Sequence, residues 1–208
     1  QFTSPINIAI PSGNFGNAYS AWFGRENGLP INEIFCASNV NDVLTRFISS
    51  GKLEPRETIP SVAPSMDIQI PSSLERLIYN LEGEASSFYD QLQSEKIANL
   101  TDKSTVKLQN IFSSLSFDDE MILNEIELFY KSYGWVIDPH TATALSSSAS
   151  FSSDLPVVGV ATASPEKFSN VISKIIDEFS VENKKNEEKF LVQKANSLLV
   201  ENTIKEQL

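Results

Sequence analysis

Apolar positions follow two different periods within the first 53 residues. Short, almost continuous apolar runs at 6–10 and 33–38 predict buried β-strands. Each run precedes a stretch, at 17–26 and at 41–49, in which apolar residues recur every three or four positions, and this spacing predicts a helix. A strand–helix–strand–helix order favours a parallel sheet with helices on its faces. Residues 1–53 are therefore predicted to form a βαβα region.

The middle of the chain has a different pattern. Residues 54–72 contain four of the ten prolines, which predicts an ordered loop. From 73 to 133 the apolar residues return at helical spacing. Residues 54–133 are therefore predicted to be a Pro-rich loop and a helical insertion packed beside the sheet.

Residues 134–180 return to an α/β pattern. Two strands are predicted there, at 134–140 and 157–161, and two helices, at 141–149 and 166–179. The remaining residues, 181–208, are rich in lysine and glutamate and have few apolar repeats. They are predicted to be a charged C-terminal helix or tail.

Charge and hydrophobicity exclude two classes of partner. The 208 residues carry a formal net charge of −11, whereas nucleic acids and anionic membranes require a basic surface. No run approaches the roughly 18 apolar residues that a membrane span needs. We therefore expect neither a nucleic-acid nor a membrane partner.

The chain has a single cysteine, Cys36, which lies in an apolar run. An intrachain disulfide is impossible, so a reducing, cytoplasmic setting is predicted. A nucleophile or metal ligand is the functional alternative for Cys36, but a buried free cysteine usually behaves as a small hydrophobe. No metal site is predicted.

The segment Ser12-Gly-Asn-Phe-Gly-Asn17 lies between a predicted strand and a predicted helix. Its glycines allow close approach of a ligand, and the helix N-terminus offers free N–H groups with a positive partial charge, a combination that binds phosphate. A tight βα turn that uses Gly and Asn for unusual backbone angles would have the same composition. The turn composition alone leaves both interpretations open.

Five sequence blocks, in order along the chain, resemble the threonine synthases. The first is Pro11-Ser-Gly-Asn-Phe-Gly-Asn17, followed by Gly28-Leu-Pro-Ile31. The others lie at 39–44 with 46–47, at 65–68 with 75–77, at 138–142 (Asp-Pro-His-Thr-Ala) and at 161–168 (Ala-Thr-Ala-Ser-Pro-Glu-Lys-Phe). No single block is specific, but five in the same order over most of the chain are.

This resemblance implies the C-terminal portion of a fold type II enzyme that uses pyridoxal 5′-phosphate (PLP). The implied fold is α/β, a partial fold type II PLP-enzyme with a parallel sheet flanked by helices and a helical insertion. Residues 1–53 would then hold the cofactor phosphate, and 134–180 would belong to the cofactor domain. The implied reaction converts O-phosphohomoserine, a phosphorylated amino acid, and water into threonine and phosphate.

The resemblance also implies roles for particular residues. The cofactor-phosphate ligands would be Gly13, Asn14, Phe15 and Asn17, mostly through backbone N–H groups. Thr162 would face the pyridine nitrogen, although a strand-end or helix-capping hydroxyl is its structural alternative. The only histidine, His140, is expected to line the site or to begin a helix, without a catalytic role. Four charged residues in the matching blocks are expected to be structural: Asp42, Arg46, Asp67 and Arg76.

The Schiff-base lysine of such enzymes lies in an early segment, and none of the twelve lysines here stands in a matching position. The resemblance therefore implies no catalytic residue in this chain, a missing N-terminal segment as its partner, and an inactive isolated chain. Four departures indicate a divergent member. The family has small residues at the positions of Tyr19 and Trp22, asparagine at that of Ser73 and histidine at that of Ser164. A threonine-synthase-like phospho-lyase and a non-catalytic phosphate-binding protein descended from the enzyme remain the alternatives.

Overall fold

A four-stranded parallel sheet forms the centre of the protein. The computed structural model describes residues 4–151 and 154–176. The strands are β1 Ile6–Pro11, β2 Ile31–Ser38, β3 Lys52–Leu53, β4 Ala98–Asn99, β5 Phe112–Ser116 and β6 Val157–Gly159. The large sheet has the order β5-β2-β1-β6, and β3 pairs with β4 in a small antiparallel sheet.

Helices connect the strands. They are α1 Gly16–Glu26, α2 Val43–Ser50, α3 Leu74–Glu82, α4 Ser86–Glu95, α5 Asp102–Gln109, α6 Asp119–Tyr133, α7 Pro139–Ser146 and α8 Ser169–Ile172. Three 3-10 turns lie at Pro64–Met66, Ser147–Ser150 and Pro165–Phe168. None of the helices in the described ranges is long and apolar enough to cross a bilayer.

The sheet is covered on both faces, which explains why β1 and β2 have almost continuous apolar sequences. One core cluster joins Ile10 and Ile34 to helices α1 to α4, including Phe47 and Leu77. A second cluster, on the other face, joins Phe35 to helices α6 and α7. The expected α/β fold with a parallel sheet flanked by helices is confirmed.

The first 53 residues follow the predicted order closely. The four apolar residues of α2 that were expected to face inward, Val43, Leu44, Phe47 and Ile48, are all buried. Gly28 ends α1 as expected: its φ is 94°, a left-handed conformation that costs glycine little. Its N–H donates to the carbonyl of Arg25 at 3.0 Å.

Two secondary-structure predictions were wrong. Within the stretch predicted to be helical, residues 112–116 form β5, which extends the main sheet through parallel pairing with β2. Three of its five residues are serines, so the segment has little apolar periodicity, and its pairing with β2 decides its conformation. Residues 134–140, expected to be strand-like, form no strand; they lead into α7, which begins at Pro139.

The last described elements are shorter than predicted. β6 is an edge strand of three residues, and Val158 is 44% exposed, so the expectation of a buried strand there was wrong. The helix expected at 166–179 begins as a 3-10 turn and continues as α8 to Ile172. The tail at 181–208 lies outside the described residues.

Candidate functional site

The candidate site lies at the carboxyl ends of β1 and β6, which are neighbours and parallel. In open α/β sheets, ligands bind at this edge because the loops that follow the strands converge there. The loop after β1 contains residues 12–15, and Thr162 follows β6. Strand order therefore brings together two sequence blocks that are about 150 residues apart.

The loop between β1 and α1 presents unpaired backbone donors. In the part of the chain that the structure describes, none of the N–H groups of residues 13–17 donates a hydrogen bond. Phe15 precedes the helix in a left-handed conformation (φ 68°, ψ 5°), and no side chain caps the helix N-terminus. Several N–H donors without a partner therefore lie in one loop beside the positive end of the helix dipole, an arrangement that suits an anion.

Packing holds the loop in place. The N–H of Ser12 donates to the carbonyl of Ala37 at 2.9 Å, and the N–H of Ser73 donates to the carbonyl of Asn14 at 3.0 Å. The ring of Phe15 is buried against Phe112 with a centroid separation of 5.3 Å. The Phe15 side chain is therefore part of the core, and only its backbone is available to a ligand. This arrangement stabilises a left-handed conformation that is unfavourable for a non-glycine residue.

Gly13 lies against a second segment of the chain. A Cβ atom at this position would lie 2.9 Å from the Cα of Met66 and 3.0 Å from the carbonyl oxygen of Ser65. Both neighbours are backbone atoms, which cannot move aside as a side chain can. The glycine is therefore required by the close approach of the 65–66 segment to the loop.

A cavity of about 230 Å³ opens between these segments. All of the site residues predicted from the resemblance line it: Gly13, Asn14, Phe15, Asn17, His140 and Thr162. Five further residues that were not singled out as ligands also line it: Pro11, Ser12, Gly16, Ser65 and Met66. Ser65 and Met66 stand in a block that carries the resemblance, so the block was informative although it did not reveal their position.

The cavity is lined by both polar and apolar groups, and no lysine or arginine of the described residues lines it. The Oγ of Ser12 is buried and has no hydrogen-bond partner among the residues that the structure describes. The groups that suit the phosphate of PLP are therefore backbone N–H groups and a hydroxyl, in a cradle that a side chain at position 13 would fill. The residues present fit that phosphate. Their individual contacts with the cofactor stay a prediction.

His140 is a buried residue of the cavity lining, and each of its ring nitrogens has a polar partner. Its Nδ1 lies 2.9 Å from Oδ1 of Asp138, and its Nε2 accepts a hydrogen bond from the N–H of Ser65 at 3.1 Å. Because Nε2 accepts, the proton of the neutral ring must lie on Nδ1, which donates to Asp138. The His140 ring also packs against Phe168.

The carboxylate of Asp138 is also fixed by several hydrogen bonds. Its carboxylate caps the N-terminus of α7 by accepting from the N–H groups of His140 (2.9 Å) and Thr141 (3.4 Å), and it also accepts from the Thr141 hydroxyl. Asp138 is 1% exposed and His140 is 3% exposed. The expectation that His140 begins a helix and the expectation that it lines the site both agree with this geometry.

The four charged residues of the matching blocks have structural contacts. Asp42 and Arg46 form an ion pair at 2.8 Å, and the guanidinium of Arg76 lies 5.8 Å from the ring centroid of Tyr19. Asp67 accepts hydrogen bonds from the side chains of Asn39 (2.7 Å), Asn41 (3.0 Å) and Ser61 (2.6 Å), and from the Ser61 N–H. Asp67 thus ties the Pro-rich loop to the segment after β2, which supports the structural interpretation.

Cys36 is fully buried in the core, and its burial raises the pKa of the thiol well above the ordinary value. A thiol that stays protonated is a poor nucleophile and a poor metal ligand. The prediction that Cys36 is a core residue is consistent with this burial. Among residues 4–151 and 154–176, no group of three or more His, Cys, Asp or Glu residues could hold a metal ion.

The order of the strands, the helices that cover the sheet and the glycine–asparagine loop together define a class of protein. This class is the fold type II PLP enzymes. The PLP-bound threonine synthase from Brucella melitensis superposes with a TM-score of 0.79 at 29% sequence identity, over 82% of this chain and 38% of that chain.

Sequence comparison gives the family. The chain is 31% identical over 175 residues to a threonine synthase of Pseudomonas aeruginosa, which covers 81% of this chain and 37% of that enzyme. It is 37% identical over 150 residues to threonine synthase-like 1 of Macaca fascicularis, over 69% of this chain and 20% of that protein. No protein-family profile matches the chain. The predicted resemblance to threonine synthases is thus confirmed, and PLP is the cofactor of that family.

The chain spans only 37% of the length of the Pseudomonas enzyme and 38% of the Brucella enzyme.

Proposed function

We propose that this chain is the C-terminal, cofactor-phosphate-binding part of a PLP-dependent threonine synthase, which converts O-phosphohomoserine and water into threonine and phosphate. The observation that carries the proposal is the loop after β1. It offers N–H groups of residues 13–17 that have no partner in the described residues, at an uncapped helix N-terminus, beside the cavity. A cytoplasmic location agrees with the single buried thiol of Cys36.

Each part of the proposed site has a separate task. The backbone N–H groups after Gly13 bind the cofactor phosphate, and the Ser12 hydroxyl supplies one more donor. The Thr162 hydroxyl faces the ring nitrogen and donates a hydrogen bond to it, which leaves the ring without a full positive charge. When bound, PLP stabilises negative charge that develops on the amino-acid substrate during loss of its phosphate.

The lysine that carries the cofactor is proposed to come from a segment outside this chain. Seven lysines lie in the described residues, at positions 52, 96, 103, 107, 131, 167 and 174, and none of them lines the cavity. The relatives are more than twice as long as the stretch that matches this chain, so they have room for such a segment.

A phospho-lyase that releases a keto acid is the second candidate for the parent enzyme. The chain is similar both to threonine synthase-like 1 (37% identity over 150 residues) and to the Pseudomonas threonine synthase (31% over 175 residues), and both reactions begin with loss of the substrate phosphate. Product analysis of an assembled enzyme separates the two reactions: threonine supports the synthase, and 2-oxobutyrate supports the lyase.

Binding of 4′-deoxypyridoxine 5′-phosphate to the chain tests the phosphate site. This compound lacks the aldehyde of PLP and therefore cannot react with surface lysines. We expect 4′-deoxypyridoxine without the phosphate to bind at least about tenfold more weakly, because charge-assisted hydrogen bonds are lost. Inorganic phosphate should compete with the phosphorylated compound. Equal affinities by calorimetry, or no competition, would contradict the proposal.

Replacement of Thr162 tests the contact with the pyridine nitrogen. Thr162→Val keeps the shape of the side chain and removes one hydrogen bond, worth about 1 kcal/mol, so the affinity for 4′-deoxypyridoxine 5′-phosphate should fall about fivefold. Thr162→Ser keeps the hydroxyl and should bind as the natural chain does. The affinity for inorganic phosphate should be the same in all three proteins. If the valine variant bound the ring compound normally, the assigned role of Thr162 would be wrong.

A further inference from the structure

The segment of Ser65 and Met66 forms a wall of the cavity next to the loop after β1. Its backbone comes so close to Gly13 that a Cβ there would lie 2.9 Å from the Cα of Met66. A shift of this wall would therefore change the space available to a phosphate at the loop. The 65–66 segment lies in a 3-10 turn of only three residues, and such short turns depend on contacts with the rest of the chain for their position.

A hydrogen bond from the Ser65 N–H to Nε2 of His140, at 3.1 Å, connects the wall to α7. The two residues are 75 positions apart. His140 is itself anchored, because Nδ1 lies 2.9 Å from the carboxylate of Asp138 and the ring packs on Phe168. A continuous set of contacts thus runs from the N-terminus of α7, through Asp138 and His140, to Ser65.

We propose that His140 is a positioning residue: through Nε2 it holds the Ser65–Met66 wall against Gly13, and it thereby sets the affinity of the loop for the cofactor phosphate. The effect on phosphate affinity rests on the function proposed above, whereas the positioning of the wall rests on contacts within the chain alone. The role requires one tautomer, with the proton on Nδ1 and with Nε2 free to accept. His140 does not act as an acid or base in this role, because both nitrogens are already engaged.

Two substitutions separate the two nitrogens of His140. The amide oxygen of His140→Gln reaches about as far as Nε2 and can accept from the Ser65 N–H, whereas the shorter amide of His140→Asn can replace only Nδ1 at Asp138. We expect amide hydrogen exchange at Ser65 to become at least about tenfold faster in the asparagine variant, because the partly buried hydrogen bond that protects this N–H is lost. Exchange in the glutamine variant should stay within about threefold of the natural chain.

The affinity for 4′-deoxypyridoxine 5′-phosphate should follow the same order, with a fall of about tenfold for His140→Asn and little change for His140→Gln. If His140 mattered only through its bond to Asp138, the order would be reversed, and the proposal would be overturned. Circular dichroism and the inaccessibility of the Cys36 thiol to a thiol reagent check that each variant is folded.

A measurement on the unmodified chain does not depend on variants. Because His140 is the only histidine, its ring nitrogens give a single set of signals in a two-dimensional ¹⁵N–¹H NMR spectrum. The proposal expects a protonated Nδ1 and an unprotonated Nε2; a proton on Nε2 would overturn it. If the natural chain bound no phosphorylated ligand but Ser65 exchange followed the expected order, the proposed function would fail while the positioning of the wall by His140 would stand.

Discussion

The chain of 208 residues should form no threonine from O-phosphohomoserine when it is supplied with PLP alone. PLP catalysis requires a lysine placed within reach of the cofactor aldehyde. The lining of the cavity contains no lysine, and the resemblance to threonine synthases matches none of the twelve lysines to that role. The expected loss is therefore complete and not a reduction in rate.

Borohydride reduction after addition of PLP, followed by mass spectrometry, checks this expectation. Exposed lysines such as Lys103 and Lys107 should give scattered, substoichiometric adducts. The threonine synthase of Pseudomonas aeruginosa, treated in parallel, serves as the positive control for the adduct and for product formation. One stoichiometric adduct on a single lysine of this chain, accompanied by turnover, would show that the expectation is wrong.

Gly13→Ala should destabilise the chain by about 2 kcal/mol, the usual cost of forcing an extra methyl group into a packed site. The new Cβ would meet backbone atoms of Ser65 and Met66 at 2.9–3.0 Å, so one of the two segments must move. Because the displaced segments are the two walls of the cavity, the affinity for 4′-deoxypyridoxine 5′-phosphate should fall as well. Urea denaturation and calorimetry measure the two effects.

Gly16→Ala is the matched control in the same loop. A Cβ at Gly16 would meet only the Oγ of Ser73, at an ordinary contact distance of 3.6 Å. Gly16 is also the first residue of α1, where alanine is a better helix former than glycine. We therefore expect the free energy of unfolding of the Gly16→Ala variant in urea to be unchanged or slightly increased. Equal destabilisation by the two substitutions would show that contact with the 65–66 segment is not the reason for the glycine at position 13.

Local patterns predicted the part of the fold that lies within the first 53 residues. A buried parallel strand is apolar throughout, and a helix on its face repeats its apolar residues every three to four positions, so both elements are visible in a short window. That is why β1, α1, β2 and α2 were found with ends that differ from the structure by no more than two residues. The loop between β1 and α1 was found for the same reason, since its glycines and asparagines interrupt both periods.

Edge strands were the part of the sheet that local patterns described poorly. Ser113 of β5 donates to the carboxylate of Glu33 at 2.6 Å, and Ser114 donates to the carbonyl of Cys36, so two of its three serine hydroxyls bond to β2. Neither contact produces a periodic pattern of apolar residues in the sequence. For β6 the prediction failed in the opposite direction. Its apolar run predicted burial, but its position at the edge of the sheet leaves Val158 exposed.

The amino-acid sequence by itself determined the fold class, the loop that follows β1 and the resemblance to threonine synthases, because each of these depends on residues that are close together or on blocks in a fixed order. Only the tertiary structure decided which of those blocks meet. Thr162 lies near Gly13 because β6 pairs with β1, and Ser65 is held by His140 across 75 residues. Such contacts depend on strand order and on the direction of one N–H bond toward one ring nitrogen, and no local pattern of residues encodes either of them.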